Sequence, residues 1–82
     1  MHRVVWSLEA FRILSTLPPP VRADILKKTR LLERFPLMHP RRRRGQYRGQ
    51  RYFISHEWLV YYLVSRETVS ITTIGHGRRR RA

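Results

Sequence analysis

The chain has no cysteine among its 82 residues. A disulfide framework and a thiolate metal site are therefore excluded. Acids are nearly as scarce, with five Asp and Glu against 18 Lys and Arg. Long hydrophobic runs are missing too. No apolar stretch reaches the roughly 20 residues that a bilayer-spanning helix needs. The opening MHRVVWSLEAF lacks the continuous apolar core of a signal peptide. The four histidines, His2, His39, His56 and His76, are not paired closely enough for a zinc site. No internal repeat is visible. These absences lead us to expect one cytoplasmic domain that uses no metal or other cofactor, and neither a membrane nor a small-molecule substrate as partner. A domain this small buries a modest core, so a bound partner would add to its stability.

What is present in excess is positive charge, a net +13. Sixteen of the 18 basic residues are arginine, whose planar fork matches phosphate better than lysine does. Residues 36–82 carry 11 of them against only Glu57 and Glu67. Such a balance implies a polyanionic partner, either nucleic acid, an acidic protein, or both. The plainer alternative is a solvated basic surface.

The pattern predicts an α+β fold in which an N-terminal helical hairpin packs on a small, twisted antiparallel sheet. Residues 2–6 suit a short first strand. Ser7 is a helix cap, with Glu9 in the first turn where the helix dipole favours it. A helix over about 8–16 follows, with Phe11 and Leu14 or Leu8 inward. The proline run Pro18–Pro20 ends it, and Pro20 opens a second helix reaching about Phe35. Val21, Ile25, Leu31, Leu32 and Phe35 recur there at helical spacing. Residues 36–48 form a linker, and its run Arg41–Arg44 is expected to be mobile or ordered by a bound anion. Strands are expected over 51–55, 58–64 and 68–74, the last two joined by the turn Ser65-Arg66-Glu67. We expect Leu59, Tyr61 and Leu63 to meet the helices. Trp58, Val60 and Tyr62 would then line an open concave face with Ile74 and His76. Residues 1–77 make the single domain, and 78–82 a basic flexible tail.

In this order the residues resemble a known family. Val4-Val5-Trp6-Ser7-Leu8-Glu9-Ala10, Leu17 to Lys27, Phe35-Pro36, Gly49-Gln50-Arg51, Leu59-Val60-Tyr61 and Ile74-Gly75-His76-Gly77-Arg78 are similar to successive elements of the RelE/ParE superfamily of type II toxin–antitoxin toxins. The resemblance covers nearly the whole chain. It implies the same layered fold and an acidic cognate antitoxin that wraps the toxin. It also implies one of two targets, ribosome-bound mRNA, which RelE-like members cut, or DNA gyrase, which ParE-like members poison. The chain departs from the RelE-like pattern at three points. Trp58 stands where an arginine precedes the "V-I-Y" strand, the tail has no tyrosine, and a lysine-rich stretch is replaced by Arg41–Arg44. All three favour the gyrase-directed alternative.

Metal-free RNA cleavage needs a base, an acid and positive charge around one phosphate. His76 is the candidate base or acid, because its ordinary pKa lies near neutrality. Arg51 and Arg78 are the candidates to stabilise the phosphate. Arg41, Arg42, Arg43, Arg44 and Arg48 are candidate nucleic-acid contacts. Trp58, Tyr62 and Tyr47 are candidate platforms for splayed bases. Each has a plainer reading as a turn histidine, sheet packing or a solvated charge run. His56, beside Glu57 at a turn, is read as structural. The competing function is a non-enzymatic basic nucleic-acid-binding protein, or a degenerate toxin without activity.

Overall fold

The computed structural model describes residues 1–77. Strand β1 (Arg3–Trp6) leads into α1 (Leu8–Thr16) and α2 (Pro19–Leu31). Strands β2 (Arg51–Ser55), β3 (Trp58–Val64) and β4 (Thr68–His76) follow. The sheet order is β1-β4-β3-β2. The α+β architecture is the expected one. The sheet is mixed rather than wholly antiparallel, because β1 joins the far side of β4 in parallel. The chain travels through the helical hairpin and two further strands before β4 meets β1, and that long path permits parallel pairing.

Ser7 does two jobs at the start of α1. Its hydroxyl oxygen accepts from the Ala10 N–H at 3.0 Å, and the same hydroxyl donates to the Thr72 carbonyl at 2.8 Å. The Ser7 N–H donates to the Ile71 carbonyl at 2.9 Å. The helix cap is thus also the joint between α1 and β4, and the Thr73 hydroxyl adds a hydrogen bond to the Glu9 carboxylate. Ala10 and Leu14 face the sheet, whereas Phe11 and Leu8 are 55% and 64% exposed. The small Ala10 lets α1 approach β4 closely, which is why the bulkier candidates turn outward.

Helix α2 ends at Leu31, four residues before the expected Phe35, and residues 32–34 form turns. Val21, Ile25 and Leu32 are buried, while Leu31 and Phe35 are exposed. A polar fastening joins α2 to β2. The Ser55 hydroxyl donates to Asp24 at 2.5 Å, Lys28 pairs with Asp24 at 3.1 Å, and the Lys28 ammonium caps the Ile54 carbonyl at 3.0 Å. Both donors hold the Asp24 carboxyl below its ordinary pKa, Ser55 more than Lys28.

The two faces of β3 are the reverse of the expectation. Val60 and Tyr62 lie in the core with Ala10, Leu14, Val21 and Ile25, and Trp58 and Val64 pack against its rim. Leu59 and Tyr61 turn to the other face and are covered there, while Leu63 is exposed. In β4 the pairing changes register. Tyr61 pairs with Thr73 but Tyr62 pairs with Ile71, so Thr72 is an extra residue in the ladder. Strict alternation would separate Ile74 from Val69 and Ile71. The bulge instead brings Ile74 into the core beside them.

Candidate functional site

Three contacts fix the linker after α2. The Tyr62 hydroxyl donates to the Pro36 carbonyl at 3.0 Å, the Arg51 guanidinium donates to the His39 carbonyl at 2.6 Å, and the Tyr52 N–H donates to the Pro40 carbonyl at 3.1 Å. The His39 ring sits 5.2 Å from Phe53 and meets Tyr62 edge-on at 6.3 Å. Burial there lowers the His39 pKa below its ordinary value, with Lys28 adding to the effect. Burial raises that of Tyr62.

Beyond this anchor the chain folds back on itself. The Arg42 N–H donates to the Gln50 carbonyl at 2.6 Å, and the Gly49 N–H donates to the Arg42 carbonyl at 2.9 Å. Gly45 and Gly49 have φ of +85° and +93°, a backbone that side chains resist. The Tyr47 ring stacks on Tyr61, 4.4 Å between centroids, and the Arg42 guanidinium lies 5.9 Å over the Tyr52 ring. The Gln50 side-chain oxygen accepts from the Thr72 hydroxyl at 2.5 Å. The backbone of the arginine run and the Arg42 side chain are thus tied into the protein's own hydrogen bonds and ring contacts.

Between this loop, α1 and the end of β4 lies a cleft of about 550 Å³. Arg42, Arg44, Tyr47, Trp58, Tyr61 and His76 line it, with Ile13 from α1. His76 ends β4 opposite Trp58, and the two rings meet edge to face at 4.8 Å. Its Nε2 lies 3.0 Å from the Glu57 carboxylate in the turn between β2 and β3. The Gly77 N–H donates to the Glu57 carbonyl at 2.8 Å, which holds the end of β4 against that turn. A side chain at position 77 would press on this carbonyl at 3.3 Å.

The cleft brings together five of the residues singled out in the sequence: His76, Trp58, Tyr47, Arg42 and Arg44. Arg41 and Arg43 line an adjoining depression with Tyr52, and Arg48 is exposed on the loop. Arg51 stands elsewhere. It pairs with Tyr62, whereas His76 pairs with Trp58, four residues away along β3. That is roughly 13 Å along the sheet, with two strand spacings, about 10 Å, across it. Tyr62 is fully buried and offers no face to a base, which corrects its reading as a stacking platform. Arg78 lies outside the described residues. The aromatic residues missed in the sequence are Tyr52 and Tyr61. The alternation of Tyr61 with Tyr62 was visible but the choice of face was not, and Tyr52 joins Tyr61 only through the pairing of β2 with β3. Among the described residues no three His, Asp or Glu side chains are placed to share a metal ion, and no helix is long and apolar enough to cross a membrane. His56 sits in the β2–β3 turn with φ of +56°, as a turn residue.

A helical hairpin laid on one face of a four-stranded sheet is also the fold of a chain in a solved toxin–antitoxin complex. The toxin–antitoxin complex RelBE2 of Mycobacterium tuberculosis contains a chain that superposes with a TM-score of 0.77 at 24% identity, covering 92% of this chain and 96% of that one. The comparison with curated proteins gives no match. Residues 4–81 match the family model described as the ParE toxin of the type II toxin–antitoxin system parDE. The chain belongs to that family.

Proposed function

We propose that this toxin binds and inhibits DNA gyrase, performs no bond-breaking chemistry of its own, and is neutralised by an acidic cognate antitoxin. The observation that carries the reading is the separation of Arg51 from His76. Metal-free RNA cleavage needs its acid, base and phosphate-binding charge on the same few atoms. Here the Arg51 guanidinium is committed to the backbone carbonyl of His39, at the other end of the sheet from His76. The match to the ParE family supports the same target. That RelBE2 is a toxin–antitoxin complex supports the antitoxin. Basic loops and exposed apolar side chains such as Phe11, Phe35 and Met38 suit an acidic partner that folds on binding.

A second reading keeps one observation in its favour. His76, Arg42 and Arg44 share a cleft with Trp58 and Tyr47, a group of residues suited to a ribonucleotide phosphate and base. On that reading the protein is a ribosome-dependent endoribonuclease.

The test is a gyrase supercoiling assay with purified toxin, run beside induced expression in which SOS response and mRNA integrity are followed. Gyrase inhibition with intact mRNA, retained in His76→Ala, is the expected result. Unchanged supercoiling with cut mRNA, abolished by His76→Ala in a folded protein, would establish the nuclease instead.

A further inference from the structure

Residues 34–56 carry seven arginines and no acid. Five of the seven lie within residues 41–48, and Arg41, Arg43, Arg44 and Arg48 are exposed. Among the described residues none of these four forms an ion pair; the only pairs are Lys28–Asp24 and His76–Glu57. A like-charged run of this density repels itself and ordinarily stays unstructured. Here the backbone is nevertheless locked. The Arg42–Gln50 and Gly49–Arg42 hydrogen bonds close the loop, the Arg48 N–H donates to the Gly45 carbonyl at 3.1 Å, and Arg42 Nε donates to the Arg44 carbonyl at 3.2 Å. The folded backbone thus presents these unneutralised arginines from one defined loop, which lowers the ordering cost of meeting an anion.

We propose that the Arg41–Arg48 loop docks on the phosphate backbone of duplex DNA. The inference rests on the gyrase reading, since the DNA held by the target enzyme would then contact this loop. Three features select the ligand. The depression of about 360 Å³ along the run is lined by Arg41–Arg44, Pro40 and Tyr52, so four of its six lining residues are arginine. A protein partner needs an apolar core to its interface, whereas a phosphate backbone needs only charge and hydrogen-bond donors. The two rings beside the run, Tyr47 and Tyr52, each have one face already engaged. Tyr47 stacks on Tyr61, and Tyr52 lies under Arg42. Single-strand binding depends on free aromatic platforms, so paired nucleic acid fits better. Finally, the array projects as a loop rather than lining a closed pocket. A projecting arginine loop follows the edge of a groove, where the phosphates of both strands are within reach.

The experiment is fluorescence anisotropy of the purified toxin with a short labelled DNA duplex, over a series of salt concentrations and without gyrase. Binding should weaken on the order of a hundredfold for a fourfold rise in salt, at about 0.9 in log–log slope per phosphate contacted. Arg41→Gln with Arg43→Gln, checked for fold by circular dichroism, should make the slope shallower by about 1.8. Replacing Arg78–Arg81 by glutamine is the control for the tail. An unchanged slope in the loop variant, or loss of binding only in the tail variant, overturns the proposal. Tighter binding of a single strand, or of polyglutamate, than of the duplex also overturns it and assigns the loop to that ligand. Gyrase is absent throughout. A duplex-binding toxin that leaves supercoiling unchanged would therefore overturn the gyrase reading alone.

Discussion

Trp58 and His76 face each other across β3 and β4 because of one extra residue, Thr72. Their rings meet at 4.8 Å, and the Glu57 carboxylate holds the outer nitrogen of the imidazole. Without the bulge, His76 would lie on the same face as Tyr61 instead of beside Trp58, and Ile74 would leave the core.

Deleting Thr72 removes only the extra residue, so Ile74 and His76 should keep their phase and the cost should stay within about 1–2 kcal/mol, from the lost Thr72 hydrogen bonds to Ser7 and Gln50. Urea unfolding measures this. A much larger loss would mean that the deletion moves Ile74 out of the core and that the bulge does not set the register.

Tyr62 spans the core and ends on the Pro36 carbonyl. Tyr62→Phe should cost about 1 kcal/mol, because that carbonyl loses its donor. Tyr62→Ala should cost about 3–5 kcal/mol, because it opens a cavity. Near-equal losses in the two variants would show that the hydroxyl, not the ring, matters most.

Arg51 is expected to act as a positioning residue. Arg51→Lys keeps the charge but loses the planar fork aimed at the linker carbonyls. Hydrogen exchange should rise in residues 37–44, gyrase inhibition should fall, and global stability should change by no more than about 1 kcal/mol. Lost inhibition with unaltered exchange would instead mean that Arg51 touches the target directly.

Stability should decline toward acid in two windows. His39 has a folded pKa below the ordinary histidine value of about 6.5, so the unfolded chain takes up the proton first. The stability due to neutral His39 is full above about 6.5 and is lost as pH falls through the folded value. Asp24 behaves likewise at lower pH, with its pairing complete above about 3.8 and lost as pH falls through its depressed value. Unfolding at stepped pH should show the upper window vanish in His39→Phe. An unaltered profile in that variant would assign the decline to another group.

Local chemistry was legible in the sequence. Ser7 as a cap, the proline run between the helices, the Ser65–Glu67 turn and the limits of β2 and β3 all depend on neighbouring residues alone. The arginine run was legible as charge, and the order of small motifs was enough to suggest the family.

The tertiary structure decided everything that depends on which surface meets which. In β3 both faces are apolar, so alternation could not say whether Tyr61 or Tyr62 points to the helices. Ala10 allowed close packing of α1, and the Thr72 bulge then set the phase of β4. The parallel pairing of β1 joins residues some 65 apart in the chain, such as Arg3 and Thr68, and no local pattern records it. Arg51 and His76 were both read from the sequence as parts of one phosphate site. They end up at opposite ends of the sheet because strand register, a long-range property, sets distance across a sheet, whereas sequence sets only the direction in which each side chain starts.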